Sequence, residues 1–298
     1  MHENEMFVND ALVRSLLAAQ FPQWAMLPLK RVESTGTDNA IYLLGDALAV
    51  RLPRIEWATG QAEKELQWLP RLAPNLPLSI PAPIAIGEPA EGYPWRWAVY
   101  RWFEGVDAIV GRIGDLAEAA KAMAQFVAAL RRIDPAGGPL PAGSRRDTLA
   151  MRDELVRRII AELPGGEIDR EATAGAWDAA MKLPAWQGTP VWIHGDLHAG
   201  NLLIDEGRLS AVIDFGCMGV GDPAFDLLFA WSMLTAETRE IFRAELQPDE
   251  QEWERGKGFA LSMGLIAYPY YKESNPLFAG VAKRIIDEVL SDWRSSVA

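Results

Sequence analysis

Cysteine is nearly absent from this chain of 298 residues, where Cys217 stands alone. An internal disulfide is therefore excluded, and a reducing compartment, the cytoplasm, is the simplest expectation. Long apolar runs are missing, so no segment reads as a bilayer span. The opening residues, Met1 to Phe7, lack the basic and apolar blocks of a secretory leader. Positive charge is scarce: 29 Lys and Arg face 41 Asp and Glu, a formal net charge of −12 with a pI near 4.8. That deficit argues against nonspecific nucleic-acid binding, which rests on cations at phosphates. It permits a cationic small molecule, drawn by long-range attraction. Most of the negative charge falls beyond residue 104. With three histidines in all, a histidine metal centre has little to draw on. No Gly-Lys-Ser/Thr phosphate loop and no Ser nucleophile elbow occur, which removes two familiar chemistries. The remaining balance, 49% hydrophobic and 23% charged, is that of a globular protein. The length suits one two-lobed unit or two domains.

The chemistry concentrates in one stretch. An apolar run, Val191 to Ile193, leads into His194-Gly195-Asp196, and a short loop ends at Asn201. Two strand-like segments follow, Leu202 to Asp205 and Leu209 to Ile213, around a turn at Glu206-Gly207. Asp214 stands at the exit of that hairpin, which can return it beside Asn201 and Asp196. Two carboxylates and an amide then converge, a set of oxygen ligands suited to Mg²⁺. Phosphoryl transfer needs such a set, because its catalysis is mostly positioning and neutralisation of charge. Asp196 is the candidate base, and Asn201 and Asp214 are the candidate metal ligands.

Around this stretch the pattern changes along the chain. Asn9 or Asp10 can cap a first helix that Pro22 closes. Leu29 to Glu33, Ala40 to Leu44 and Ala47 to Leu52 read as short strands, Glu56 to Leu72 as a helix, and Ala82 to Gly87 and Trp95 to Phe103 as further strands. Beyond Glu104-Gly105 the texture is helical. Segments are expected at Asp115 to Ile133, 145–162, 168–182, 223–235, 237–245, 249–267 and 277–293, broken only by the hairpin. The expected fold is α+β, with a small antiparallel lobe over residues 1–104 for the nucleotide and a mainly helical lobe over 105–298 for the catalytic loop and the acceptor.

His194-Gly195-Asp196-Leu197-His198-Ala199-Gly200-Asn201, Ile213-Asp214-Phe215-Gly216 and Gly221-Asp222-Pro223-Ala224-Phe225-Asp226 together resemble the aminoglycoside phosphotransferase family, relatives of the protein kinases. The resemblance implies a protein-kinase-like two-lobed fold and ATP- or GTP-dependent, Mg²⁺-dependent phosphorylation of a hydroxyl on a small molecule. That acceptor is an aminoglycoside, another antibiotic or a small metabolite. A nucleotide-binding module without turnover is the other reading, and intact Asp196, Asn201 and Asp214 argue against it. By the same resemblance, Ser34, Thr35, Gly36 and Thr37 form a phosphate lid between two strands. Arg51 stands where the family usually has Lys, and keeps the charge in a bulkier, planar form. Glu65 orients that cation, with Glu63 as the alternative, and Arg54 is the substitute cation. Backbone groups near Tyr100 to Trp102 face the purine edge. His194 and Asp226 support the loop rather than react, and Asp222 caps the helix that follows. Acidic and aromatic residues of the last helices, from Trp231 and Glu237 to Glu273, are open candidates for the acceptor site. Cys217 reads as packing.

Overall fold

The computed structural model describes residues 5–32, 38–163 and 166–297. The first lobe is a five-stranded antiparallel sheet in the order β1-β2-β3-β5-β4. Its strands are β1 (Leu29–Arg31), β2 (Asn39–Leu44), β3 (Leu48–Pro53), β4 (Pro83–Gly87) and β5 (Trp97–Arg101). In β2, alternate residues Ala40, Tyr42 and Leu44 are buried, as the two-residue period of a strand requires. They meet helix α1 (Asp10–Gln20) through Val13, Leu16 and Leu17. Asn9 caps α1, accepting from Leu12 N–H at 2.9 Å. The opposite face carries a smaller cluster of Ala49, Ala62, Ala98 and Tyr100, against which Ile86 and Trp102 pack.

Helix α2 (Gln61–Leu72) brings its own residues to that face. The single helix expected from Glu56 is divided. A 3-10 turn spans Glu56–Ala58, and Gly60, at φ +78°, resets the backbone before α2 begins. A side chain at that left-handed position would be strained, so the break follows from the glycine.

The second lobe contains β6 (Val106–Asp107), α3 (Leu116–Arg132), α4 (Leu149–Glu162), α5 (Arg170–Met181), β7 (Val191–Ile193), β8 (Leu202–Asp205), β9 (Arg208–Val212), β10 (Gly219–Gly221), α6 (Leu228–Ser232), α7 (Ala236–Leu246), α8 (Glu250–Tyr271) and α9 (Pro276–Val297). Asp115 caps α3, as the sequence predicts, accepting from Ala117 and Glu118 N–H. The helix expected from residue 145 starts later, because Gly143–Arg146 forms a 3-10 turn and Thr148 then caps α4. The stretch 223–235 is likewise shorter than expected as a helix: Pro223–Leu227 is a 3-10 turn, followed by α6. Four tryptophans, Trp177, Trp192, Trp231 and Trp253, are fully buried in this lobe's core.

Strands β8 and β9 form the expected hairpin, joined by Glu206 and Gly207 at φ +48° and +79°. Two positive φ values give the tight turn that matches strand twist. Strand β7 pairs with β10, so the chain enters and leaves the catalytic segment side by side. Among the described residues, no helix is long and apolar enough to cross a membrane.

Candidate active site

Strand β7 delivers His194, Gly195 and Asp196 to the cleft side of the helical lobe. The turn is held from beneath by Asp226, fully buried, whose two oxygens accept from His194 N–H at 2.9 Å and Gly195 N–H at 2.7 Å. Gly195 has φ +82°, a conformation that a side chain would resist. The His194 ring accepts from Asp196 N–H at Nδ1 (3.2 Å), which leaves Nε2 to donate to the Ile213 carbonyl at 3.0 Å. Burial lowers its pKa, and the nearby Asp226 and Asp196 only partly offset this, so the ring is a neutral brace.

Asp196 is gripped on several sides. Arg145 Nη2 lies 2.5 Å from its Oδ1. Asn201 Nδ2 donates to its backbone carbonyl at 2.9 Å and lies 3.4 Å from Oδ2. His198 Nε2 is 3.5 Å from Oδ2. Burial pushes the Asp196 carboxyl up, but Arg145 and then His198 more than reverse this and hold it well below the usual carboxylate range. It is ionised.

Asn201 ends the short 3-10 turn Ala199–Asn201, and its carbonyl accepts from Ile213 N–H at 2.9 Å. That bond ties the loop to the exit of the hairpin and sets Asp214 next to it. Asp214 has φ +61° and ψ +68°, an uncommon backbone for a residue with a side chain. Such strain persists where the surroundings over-determine it, and it clusters at functional positions. The Asp214 side chain is 47% exposed, the most open carboxylate of the set.

The sheet lobe meets this carboxylate with Arg51. From β3, Nη2 of Arg51 donates to Asp214 Oδ1 and to Gln61 Oε1, both at 2.9 Å, while Nη1 donates to Glu65 Oε1 at 2.9 Å. Burial works against the Arg51 charge, but Glu65 and Asp214 outweigh it and keep the guanidinium protonated. Tyr100 Oη donates to the other Glu65 oxygen at 2.5 Å. Glu65 therefore holds the cation, whereas Glu63 lies 3.4 Å from Arg96 and Arg54 pairs with Glu5.

Tyr100 enters through its side chain, and Trp102 N–H is committed to the Ala47 carbonyl at 2.8 Å. Backbone polar groups alternate in direction along an extended strand, so those of Arg101, between them, turn the other way. Ser34, Thr35, Gly36 and Thr37 lie outside the described residues.

Three further residues of the site were given no role from the sequence. Gln61 shares Arg51 with Glu65. Lys64 Nζ bonds the carbonyls of Gly216 and Met218 at 2.6 and 3.2 Å, fastening α2 to the segment after Asp214. Arg145 stands on Asp196, from the 3-10 turn that replaces the expected start of the helix at 145. Several candidates for the acceptor site are otherwise engaged: Glu250 with Arg243, Glu252 with Arg131, Glu254 with Lys257, and Asp249 as the cap of α8. Trp231 and Trp253 belong to the core, 4.9 Å apart. Near His198 the aromatic neighbours of the loop are Phe278, 4.9 Å from its ring, and Tyr271 behind it at 4.8 Å.

The family model of the phosphotransferase enzyme family matches residues 30–259. An aminoglycoside 3'-phosphotransferase of Escherichia coli is 40% identical over 71 residues, 24% of this chain and 24% of that protein. One of Salmonella typhimurium is 38% identical over 58 residues, 20% of this chain and 21% of that protein. The similar stretch thus spans about a quarter, 24% at most here, of the length of these curated relatives. Among solved structures, the GDP complex of wild-type aminoglycoside 2'-phosphotransferase-IIIa superposes with a TM-score of 0.73 at 19% identity, over 96% of this chain and 99% of that one. The apoenzyme of macrolide 2'-phosphotransferase MphH from Brachybacterium faecium gives 0.63 at 22% identity, over 93% and 98%. These likenesses establish a shared two-lobed, kinase-like fold.

Proposed function

The chain belongs to the phosphotransferase enzyme family, and from that premise we propose that it moves the terminal phosphoryl group of a nucleoside triphosphate onto a hydroxyl of a small molecule. One observation carries the reading: Asp196, Asn201 and Asp214 converge from a single loop and hairpin, and the opposite lobe presents Arg51 to the last of them at 2.9 Å. The nucleotide lies between the lobes, with its phosphates towards Arg51 and the purine along the edge that follows β5. ATP and GTP are both compatible, since backbone contacts at that edge leave no side-chain signature.

The donor set suits Mg²⁺. Asp214 offers a half-exposed carboxylate, and Asn201 uses its amide nitrogen on Asp196, which leaves its amide oxygen available. Mg²⁺ is usually held by one or two protein oxygens together with phosphates and water, so it needs no larger cage. When bound, the ion neutralises charge on the phosphates. The acceptor hydroxyl lies against Asp196. Its oxygen forms a bond to phosphorus as the bond to the leaving nucleotide oxygen breaks, and its proton passes to the Asp196 carboxylate. Arg145 and Asn201 hold that carboxylate in place.

The acceptor we propose is an aminoglycoside or another hydroxylated antibiotic, with a small metabolite as the alternative. The names of the relatives support the antibiotic class, and the aromatic pair Phe278 and Tyr271 beside the loop supports an acceptor with an apolar face. The single, buried Cys217 supports a reducing, cytoplasmic setting. Purified protein with Mg²⁺ and either ATP or GTP, screened against aminoglycosides, macrolides and hydroxylated metabolites, tests the reading. Acceptor-dependent nucleotide consumption is expected with at least one of them. Nucleotide binding without turnover on any of them would favour a binding module instead.

A further inference from the structure

Arg145 comes from the link between α3 and α4, far from the catalytic segment in sequence, yet its guanidinium lies on the base. Nη2 reaches Asp196 Oδ1 at 2.5 Å, and Nε donates to the Gly195 carbonyl at 3.0 Å. Nη1 carries no hydrogen bond among the described residues, nor is it a sealed, orphaned atom. The guanidinium thus has one edge fixed and one edge free.

The link is built to hold that pose. Val220 N–H donates to the Pro139 carbonyl at 2.8 Å, and Ala142 N–H to the Cys217 carbonyl at 3.3 Å. Gly219 packs so closely that a Cβ there would come within 2.3 Å of Pro141 N. From the other side Arg152, only 5% exposed, donates to the Ser144 carbonyl and to Ser262 Oγ. Arg152 has no carboxylate within ion-pair distance among the described residues, and the rings of Phe225 and Phe259 flank it at 5.3 and 5.2 Å. A buried guanidinium without a counter-ion is costly, and the return is a rigid seat for the neighbour of Ser144.

A cation on a base weakens that base, so proton removal alone does not account for Arg145. Phosphoryl transfer also rests on neutralising charge, because its transition state spreads negative charge over the equatorial oxygens of the moving group. The acceptor hydroxyl must sit within about 2.6–3.2 Å of Asp196, with phosphorus about 3–3.5 Å further along the line of attack. A guanidinium fixed to the same carboxylate borders that path, and its free edge matches the planar geometry of phosphate oxygens.

We propose that Arg145 is a catalytic residue whose free guanidinium edge takes an equatorial oxygen of the phosphoryl group in transit, an inference that rests on the phosphotransferase reading above. The acceptor oxygen gains phosphorus, the nucleotide oxygen leaves with the bonding pair, and the hydroxyl proton goes to Asp196. Arg145 keeps its own protons throughout.

Titration calorimetry with Mg²⁺-ADP, and with Mg²⁺-ADP plus aluminium fluoride as a stand-in for the transferring phosphoryl, tests this without knowledge of the acceptor. The GDP series is run in parallel. The full-length protein should bind the fluoride complex about 10²-fold more tightly than the diphosphate alone, the lower bound for such analogues. In Arg145→Met the diphosphate should bind as before while most of that enhancement disappears, and Arg145→Lys should recover part of it. An enhancement unchanged in Arg145→Met, or absent from the parent protein while the diphosphate binds, overturns the proposal. So does an equal loss of both ligands in the Met and Lys variants, which marks a purely structural clamp. A parent protein that binds neither diphosphate would instead overturn the phosphotransferase reading itself.

Discussion

Arg51 and Asp214, 163 residues apart in sequence and on opposite lobes, meet at 2.9 Å. The cation proposed for phosphate and the carboxylate proposed for the metal therefore satisfy each other across the cleft. Phosphates and Mg²⁺ would each replace one half of this pair, so the contact forms a closed stand-in for the bound state. The Glu65 side chain behind Arg51 is only 1% exposed, and its second oxygen accepts from Tyr100 Oη.

Arg51 variants should consequently separate charge from geometry. Arg51→Lys should keep the fold and lose part of the nucleotide affinity, because a point charge replaces a planar fork. Arg51→Ala should lose most of the affinity. It should also lower stability by about 3 kcal/mol, since the Glu65 carboxylate is then buried without its cation. Nucleotide titration and thermal melting measure the two effects. Normal nucleotide affinity in Arg51→Ala would move the phosphate cation elsewhere.

Asp214 should control the metal dependence. Chelation of Mg²⁺ should weaken triphosphate binding in the parent protein, and Asp214→Asn should bind the nucleotide with little response to Mg²⁺, having lost the anionic ligand that faces the phosphates. A Mg²⁺ titration of nucleotide affinity in the two proteins reads this directly. An identical Mg²⁺ response in both removes Asp214 from the metal site.

The part of the site that was legible in the sequence lies on one continuous segment. His194, Asp196, Asn201 and Asp214 follow one another through a loop and a hairpin whose turn, Glu206-Gly207, announces itself, so local rules suffice to bring them together. Asp226, 31 residues from the Gly195 that it holds, was expected only from the resemblance. The choice of Glu65 over Glu63 needed more than helical angle. The resemblance favoured Glu65, and in the structure Tyr100, on β5, donates to its carboxylate from the far side. Arg145 was not legible at all. Its place depends on the close approach of Gly219 to the backbone of Pro141 and on Arg152 reaching Ser262, contacts between segments that no periodicity connects. Helix starts went wrong where short 3-10 turns precede a cap, as at Gly143–Arg146 before Thr148, because such turns share the local composition of the helix they lead into.

Cys217 offers a check on the packing beside Asp214 that does not depend on turnover. Burial is the main cause that pushes its thiol up to about 12. The thiolate is the reactive form, so iodoacetamide at pH 8 should leave the native protein unlabelled and add one group after denaturation. An exposed thiol titrates near about 8.5. The folded value is higher, so the stability this site contributes is complete below that pH and declines as pH rises towards 12. Rapid labelling of the native protein at pH 8, seen as a mass shift, would show that the segment after Asp214 is open rather than packed.

Asp196 is the base in the proposed reaction, and Asp196→Asn is the sharpest test of that role. The amide has the shape of the carboxylate: its one oxygen can still accept from Arg145, and Asn201 keeps its bond to the backbone carbonyl. It cannot take a proton from an acceptor hydroxyl. Turnover should fall by about 10²- to 10⁴-fold, the usual contribution of a general base, while nucleotide affinity, set by Arg51 and Asp214, should change little. Arg145 would be left facing a neutral group, so a modest loss of thermal stability should accompany the loss of rate. Addition of Mg²⁺ should restore neither. A folded Asp196→Asn protein with near-native acceptor-dependent turnover would show that proton removal is handled elsewhere, and His198, 3.5 Å from the Asp196 carboxylate, would be the next residue to substitute.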